Sequence, residues 1–313
     1  MDKAIQLEKL AKSYGSRRGL VDLTLDVGRG EVFGFLGPNG AGKSTTIRLL
    51  LDLIRPSSGR ATVLGLDPRA DAVELHRRIG YLPGDFTVDG RQTVRECLAF
   101  LAALRTDPSA PAAGQEAGIR RRITELAERL GLELTPRIRS LSKGNRQKIG
   151  LVQAFAHQPE LLILDEPTSG LDPLVQHVFL ELVREARADG RTVFMSSHVM
   201  SEVQAVADRV AIIREGRLVT VDTVAALRER AVRTVELHFD GPVPAEEFRL
   251  LPGVEEVVVE GNRLRCRVAG SPDALVKTAA RHTVTGLLCE EPDLEELFFA
   301  YYSNGADHDR VAA

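Results

Sequence analysis

The sequence has no tryptophan, an absence that decides nothing about function, and only three cysteines in 313 residues. Cys97, Cys266 and Cys289 stand far apart and match no metal-binding spacing, so all three are read as reduced core thiols. No stretch approaches the roughly 20 consecutive apolar residues needed to cross a bilayer, and the N-terminus lacks the hydrophobic segment of a signal peptide. The expectation is a chain made and kept in the cytoplasm. A net charge of −3 gives no global basic field, so nucleic acid is not an expected partner, although a local basic patch stays open. What is present is ordinary for a globular chain: 43 % hydrophobic and 27 % charged residues. The length suits two domains, or one large domain with an appendage, and either can bury a sizeable core.

One stretch stands out. Gly37-Pro38-Asn39-Gly40-Ala41-Gly42-Lys43-Ser44-Thr45 fits the phosphate-loop pattern G-x-x-x-x-G-K-[ST] without a mismatch. Wrapping a polyphosphate with backbone N–H groups needs a main chain that comes close in conformations glycine adopts readily, and Lys43 adds a point charge. The apolar run Gly30 to Leu36 before it reads as a buried strand, and Ser44 to Ile54 is apolar at helical spacing. The helix N-terminus then adds its partial positive charge to the same phosphates.

Elsewhere, Ile5 to Leu7 and Leu20 to Val27 alternate like half-buried strands, with Tyr14 between them either stacking on a base or simply lying on the surface. Ala61 to Gly65 and Ile79 to Pro83 are short strands. Thr93 to Arg105 is helical, Thr106 to Gly118 a flexible connection, and Ile119 to Gly131 a second helix closed by a C-terminal glycine. Ser140 to Lys148 is a polar loop running into a helix from Ile149 to His157, a second anion-binding end. Leu161 to Leu164 form a buried strand whose carboxyl end presents Asp165 and Glu166, where parallel sheets bind ligands. Thr192 to His198 is another buried strand, ending in a histidine, and a hairpin turns at Glu215-Gly216. After a helical connector at 222–230, the order strand, helix, strand, strand, helix, strand over 234–289 is that of a split ferredoxin-like unit, followed by a helix from Asp293 to Tyr302.

Tyr14, the loop at 37–45, Leu141-Ser142-Lys143-Gly144-Asn145, Asp165-Glu166, Ser169-Gly170-Leu171-Asp172 and His198, in that order, closely resemble the ATP-binding cassette family over roughly residues 3 to 222. Within it the chain looks most like the separate ATPase subunits of bacterial drug and antibiotic exporters, which also carry a small C-terminal domain. The fold class so implied is α/β: a phosphate-loop ATPase core of mixed sheet over 1–230, with a helical subdomain at about 92–157. A small α+β ferredoxin-like domain over 231–302 and a disordered tail at 303–313 would follow.

The resemblance also implies roles. Tyr14 would stack on adenine. The loop amides and Lys43 would hold the phosphates, and Ser44 and Asp165 would hold Mg²⁺, directly or through water. Glu166 would be the general base, with helix capping as its bland alternative, and His198 would touch the γ-phosphate rather than serve structure alone. Ser142, Gly144 and Asn145 would complete the ATP site of a second subunit, with Asp172 along the seam; locally, Ser142 serves equally well as a helix N-cap. ATP and Mg²⁺ are thus the expected cofactors. The partners would be a second copy or a related ATPase and a separately encoded integral-membrane permease, with the chain peripheral on the inner face of the cell membrane. Its export substrate would be drug-like or lipid-like. A soluble cassette ATPase acting on ribosomes or DNA is the alternative; such proteins usually carry two cassettes or a long coiled-coil insertion, and this sequence shows one cassette without an insertion.

Two positions depart from the family. Gly84, followed by Asp85, stands where a glutamine usually reaches Mg²⁺, so Asp85 or a water is expected to substitute. Lys143 and Asn145 replace the usual Gly and Gln. For the C-terminal helix, Phe298 and Phe299 serve either regulation and dimer contact or packing on their own sheet.

Overall fold

The computed structural model describes residues 2–15, 17–105, 112–230 and 232–290. They fall into two compact units that divide between Val221 and Asp222.

The first unit opens with β1 (Lys3–Tyr14), β2 (Arg17–Gly28), β3 (Val32–Leu36), α1 (Lys43–Leu50) and β4 (Ser58–Val63). It continues with α2 (Ala72–Arg78), β5 (Ile79–Leu82), α3 (Val94–Ala103), α4 (Ala112–Arg129), a 3₁₀ turn at Ile138–Ser140 and α5 (Lys143–Phe155). Then follow β6 (Leu161–Asp165), α6 (Pro173–Ala188), β7 (Thr192–Ser197), α7 (Met200–Gln204), β8 (Arg209–Arg214) and β9 (Arg217–Thr223). Six strands form one sheet in the order β5-β6-β7-β3-β8-β9, parallel from β5 through β8. β3, β6 and β7 are buried at every residue, which is why each carries an unbroken apolar stretch, 32–36, 161–164 and 193–195, rather than an alternating pattern. Phe194 locks two strands together, its ring centroid 6.0 Å from Phe33 and 5.4 Å from Phe35. A second, antiparallel sheet has the order β2-β1-β4.

The helices α3, α4 and α5 pack on one another. α3 begins with a capping box: Glu96 N donates to Thr93 Oγ1 at 3.2 Å while Thr93 N donates to Glu96 Oε2 at 2.8 Å. α4 starts at Ala112, so the flexible connection expected up to Gly118 is already helical over its last part. Alanine favours the helix and Arg120 Nη2 reaches Glu116 Oε1, one turn back, at 2.6 Å, which outweighs the two glycines in the segment.

The second unit contains α8 (Val224–Arg230), β10 (Val232–Phe239), α9 (Ala245–Arg249), β11 (Val254–Glu260), β12 (Arg263–Ala269), α10 (Asp273–Ala279) and β13 (Val284–Cys289). α8, which the sequence reading placed with the ATP-binding domain, belongs here. The strand order β11-β12-β10-β13, antiparallel throughout, is the split arrangement the βαββαβ order implies. Val235, Leu237, Phe239, Phe248 and Leu264 form its own core. Cys97 and Cys266 are buried as expected, and burial pushes the Cys266 thiol up to about 11. Cys289, the last residue of the edge strand β13, is exposed instead. The helix expected at Asp293–Tyr302, with Phe298 and Phe299, and the tail at 303–313 lie outside the described residues.

Candidate functional site

Parallel pairing fixes where the chemistry gathers. Asp165 lies opposite Ser196 and Leu36 opposite Ser197, so the loops after β3, β6 and β7 leave the sheet at one carboxyl edge. The loop after β3 is the stretch 37–45. Gly42 sits at the N-cap of α1 with φ 112°, a left-handed conformation in which a Cβ would also lie 2.8 Å from Leu20 Cδ2. No side chain caps this helix, so its first-turn N–H groups remain free for an anion.

A cavity of about 370 Å³ is lined by Pro38, Asn39, Gly40, Gly42, Lys43, Ser44 and Thr45, with Tyr14 and Glu166 in the same wall. Gly37 and Ala41 shape the loop: Gly37 N donates to Ser197 O at 3.4 Å, and Ala41 O accepts from Gly216 N at 2.9 Å. Tyr14 is half exposed at the end of β1, in the wall of the cavity, with Lys12 Nζ over its ring 5.3 Å from the centroid.

Lys43, Glu166 and His198 meet beside this cavity. Lys43, only 6 % exposed, donates from Nζ to Gly37 O at 2.5 Å and to Pro38 O at 3.3 Å, and lies 3.0 Å from Glu166 Oε1. The other carboxylate oxygen of Glu166, Oε2, is 2.6 Å from His198 Nδ1. Glu166 Oε1 is buried and its partner is the Lys43 ammonium. Next to it Asp165 is buried, with Oδ1 accepting from Ser196 Oγ at 2.5 Å. Together these residues fit a nucleotide polyphosphate and its metal: open helix amides, a buried ammonium, and oxygen donors from Ser44 and Asp165. Among the described residues no cluster of three or more His, Cys, Asp or Glu could cage a metal by itself. Mg²⁺ is a hard ion usually held by one or two carboxylates together with substrate phosphates, and the oxygens of Asp165 and Ser44 are donors of that kind.

The remaining expected residues lie apart from this cavity. Ser142 caps α5, its Oγ accepting from Asn145 N at 3.2 Å, and Asp172 caps α6, its Oδ1 accepting from Val175 N at 3.0 Å. Gly144 presses on the loop after β6: a Cβ there would lie 2.5 Å from Gly170 O. Asp85 does not join the phosphate loop. It lines a separate cavity of about 500 Å³ with Arg139, Lys143 and Arg146, and the residue beside the metal-ligand candidate is Gly84, where a Cβ would stand 3.4 Å from Asp165 Oδ2. Asp85 thus lines a different cavity from the candidate metal ligand Ser44.

Three residues escaped the sequence reading. Arg48, one turn beyond the loop, lines the phosphate cavity. Ser196 touches both acidic neighbours, accepting at its Oγ from Glu166 N at 3.2 Å besides donating to Asp165. Gln147 is 2 % exposed, and its Nε2 donates to both Glu166 O and Pro167 O at 3.2 Å. Only Ser196, a polar residue in the buried run Thr192–Ser197, carries a local signal; Arg48 is exposed and Gln147 stands between Arg146 and Lys148.

This geometry is that of a phosphate-loop nucleoside triphosphatase. The ABC transporter family matches residues 20–169. The Nod factor export ATP-binding protein I of Rhizobium sp. (strain N33) is 34 % identical over 303 residues, covering 94 % of this chain and 95 % of that protein. Among solved structures, an ATP-binding subunit of an ABC transporter superposes with TM-score 0.65 and 30 % identity, covering 72 % of this chain and 92 % of that one. A dimeric post-hydrolysis ATP-binding cassette bound to ADP and Pi, at 22 % identity and TM-score 0.63 over 70 % of this chain and 98 % of that one, shares the fold. The chain belongs to the ABC transporter family, as an ATP-binding subunit that binds ATP with Mg²⁺ and hydrolyses it.

Proposed function

We propose that this chain drives export: two copies, or one copy and a related ATPase, close on ATP and reopen after hydrolysis, moving a separate membrane permease between two states. Supporting this, relatives that match along almost the whole chain are named for Nod factor export, and no described helix is long and apolar enough to cross a membrane. The chain would then work on the inner face of the membrane. A drug-like or lipid-like compound would be the cargo, with its recognition left to the permease.

The observation that carries the site assignment is the Glu166 carboxylate held between Lys43 and His198. In this reading Glu166 takes the proton of the attacking water, and Lys43 leaves its carbonyl partners for the β- and γ-phosphates. His198 holds one oxygen of Glu166 and meets the γ-phosphate. Tyr14 stacks on the base, and Ser44 and Asp165 hold the metal. Mg²⁺, when bound, supplies charge that neutralises the phosphate oxygens. Ser142, Gly144 and Asn145, outside this chain's own cavity, would complete the partner's ATP site, with Asp172 beside the seam.

Glu166→Gln is expected to slow phosphate release by about 100-fold or more, the usual weight of a general base, while leaving nucleotide affinity within a few-fold. Tagged Glu166→Gln protein, purified from detergent-solubilised membranes with ATP, should bring down a multi-span membrane protein in near-equal amount. A soluble pool bound to ribosomes or DNA, with no membrane partner, would overturn the export reading.

A further inference from the structure

Glu166 is held in a backbone conformation that its sequence disfavours. Its φ is +49°, in the left-handed region that costs a non-glycine residue, and the following Pro167 further restricts its backbone. Such a conformation persists only if the surroundings over-determine it. On the amino side, Glu166 N donates to both the carbonyl and the hydroxyl of Ser196, at 3.2 Å each. On the carboxyl side, Glu166 O accepts from Ser169 N at 3.1 Å and from the Gln147 amide at 3.2 Å, and the same amide holds Pro167 O.

Ser196 and Gln147 are the members of this set that come from elsewhere in the fold, Ser196 from β7 and Gln147 from α5. Gln147 sits one turn into α5, the helix capped by Ser142, and it is almost fully buried. The first turn of α5 is pressed on the same loop at two further points. Gly144 leaves no room for a Cβ against Gly170 O, and Lys143 Nζ lies 3.4 Å from Ser169 Oγ. A shift of the α5 N-terminus therefore pulls on residues 166–170 directly.

We propose that Gln147 is a positioning residue for Glu166: its amide fixes the two carbonyls that keep the strained peptide in place, and so ties the aim of the carboxylate to the position of α5. The inference rests on the reading of Glu166 as the general base. It makes hydrolysis in one site sensitive to whatever the Ser142 end of the same chain touches, which in the proposed dimer is the other nucleotide.

The test uses the full chain with ATP and Mg²⁺ and compares Gln147→Met, which keeps length and loses the donors, with Gln147→Glu, which turns an acceptor toward two carbonyls. Turnover and nucleotide affinity are measured separately. The expected result is a kcat at least 10-fold below wild type for Met and lower still for Glu, with nucleotide Kd within threefold. A kcat within twofold of wild type in either variant would overturn the proposal, and so would a Kd that worsens in step with kcat. Glu166→Gln is run alongside: if it still hydrolyses ATP at the wild-type rate, the base assignment fails instead, whatever Gln147 does.

Discussion

Gly84 is the most informative single departure from the family pattern. It lies against Asp165, yet an added Cβ would meet that carboxylate at 3.4 Å, an ordinary van der Waals contact. Gly84→Gln should therefore fold with an unchanged melting temperature. If an amide there reaches the metal, it should also lower the Mg²⁺ concentration for half-maximal ATPase activity, which a Mg²⁺ titration reads. Gly144 is the opposite case. Its Cβ would meet a backbone carbonyl at 2.5 Å, and the backbone of residue 170 cannot swing aside as a side chain would. Gly144→Ala is expected to cost about 1–3 kcal/mol in denaturant unfolding, the usual penalty of overpacking.

Helix α5 ties the site to the rest of the first unit. His157, just beyond its last turn, is partly buried with Nε2 3.2 Å from Ile79 O, and loss of solvation, reinforced by the Arg105 charge, holds its imidazole down at about 4. An unfolded histidine titrates near 6.5, so between these values the unfolded chain binds more protons than the folded one. Stability then falls as pH drops through that window and is intact above it. The gap corresponds to about 3 kcal/mol when fully expressed near pH 4. His157→Gln should flatten the loss of stability between pH 6.5 and 4, measured as urea midpoint against pH.

Local motifs were readable for a physical reason. The phosphate loop and Asp165-Glu166 each do their work within a few consecutive residues, so their chemistry is printed in order. α6 also had local signals that went unread: Asp172 as N-cap, Pro173 in the first turn, and Val175, Phe179, Leu182, Val183 and Ala186 on one buried face. α2 is short and buries only Leu75, so its periodicity is faint. β1 and β2 run longer than their alternation indicates because register shifts near Leu7, Leu10 and Lys12 break the period of two. Gln147 and Ser196 could not be read as partners of Glu166, since they act on a backbone 19 and 30 residues away.

Each unit has its own buried core, Phe33, Phe35 and Phe194 in one, Phe239 and Phe248 in the other. Calorimetry of the full chain is therefore expected to resolve two transitions. Saturating ATP and Mg²⁺ in the Glu166→Gln protein should raise only the one belonging to Met1–Val221, by about 2.7 kcal/mol at a hundredfold excess over Kd. A common upward shift of both would mean that the units unfold as one.

The cap of α5 carries a consequence of another kind. Ser142 Oγ uses an acceptor lone pair on Asn145 N, and its own hydrogen is not spent on that bond. One atom can thus satisfy the folding of its helix with its electrons and greet an incoming phosphate with its proton, so shape and recognition do not compete. Aspartate in its place would keep the acceptor and remove the hydrogen while adding a negative charge. Ser142→Asp is accordingly expected to keep its melting temperature and, in the proposed dimer, to stay monomeric with ATP in size-exclusion chromatography, dividing in one position what serine unites.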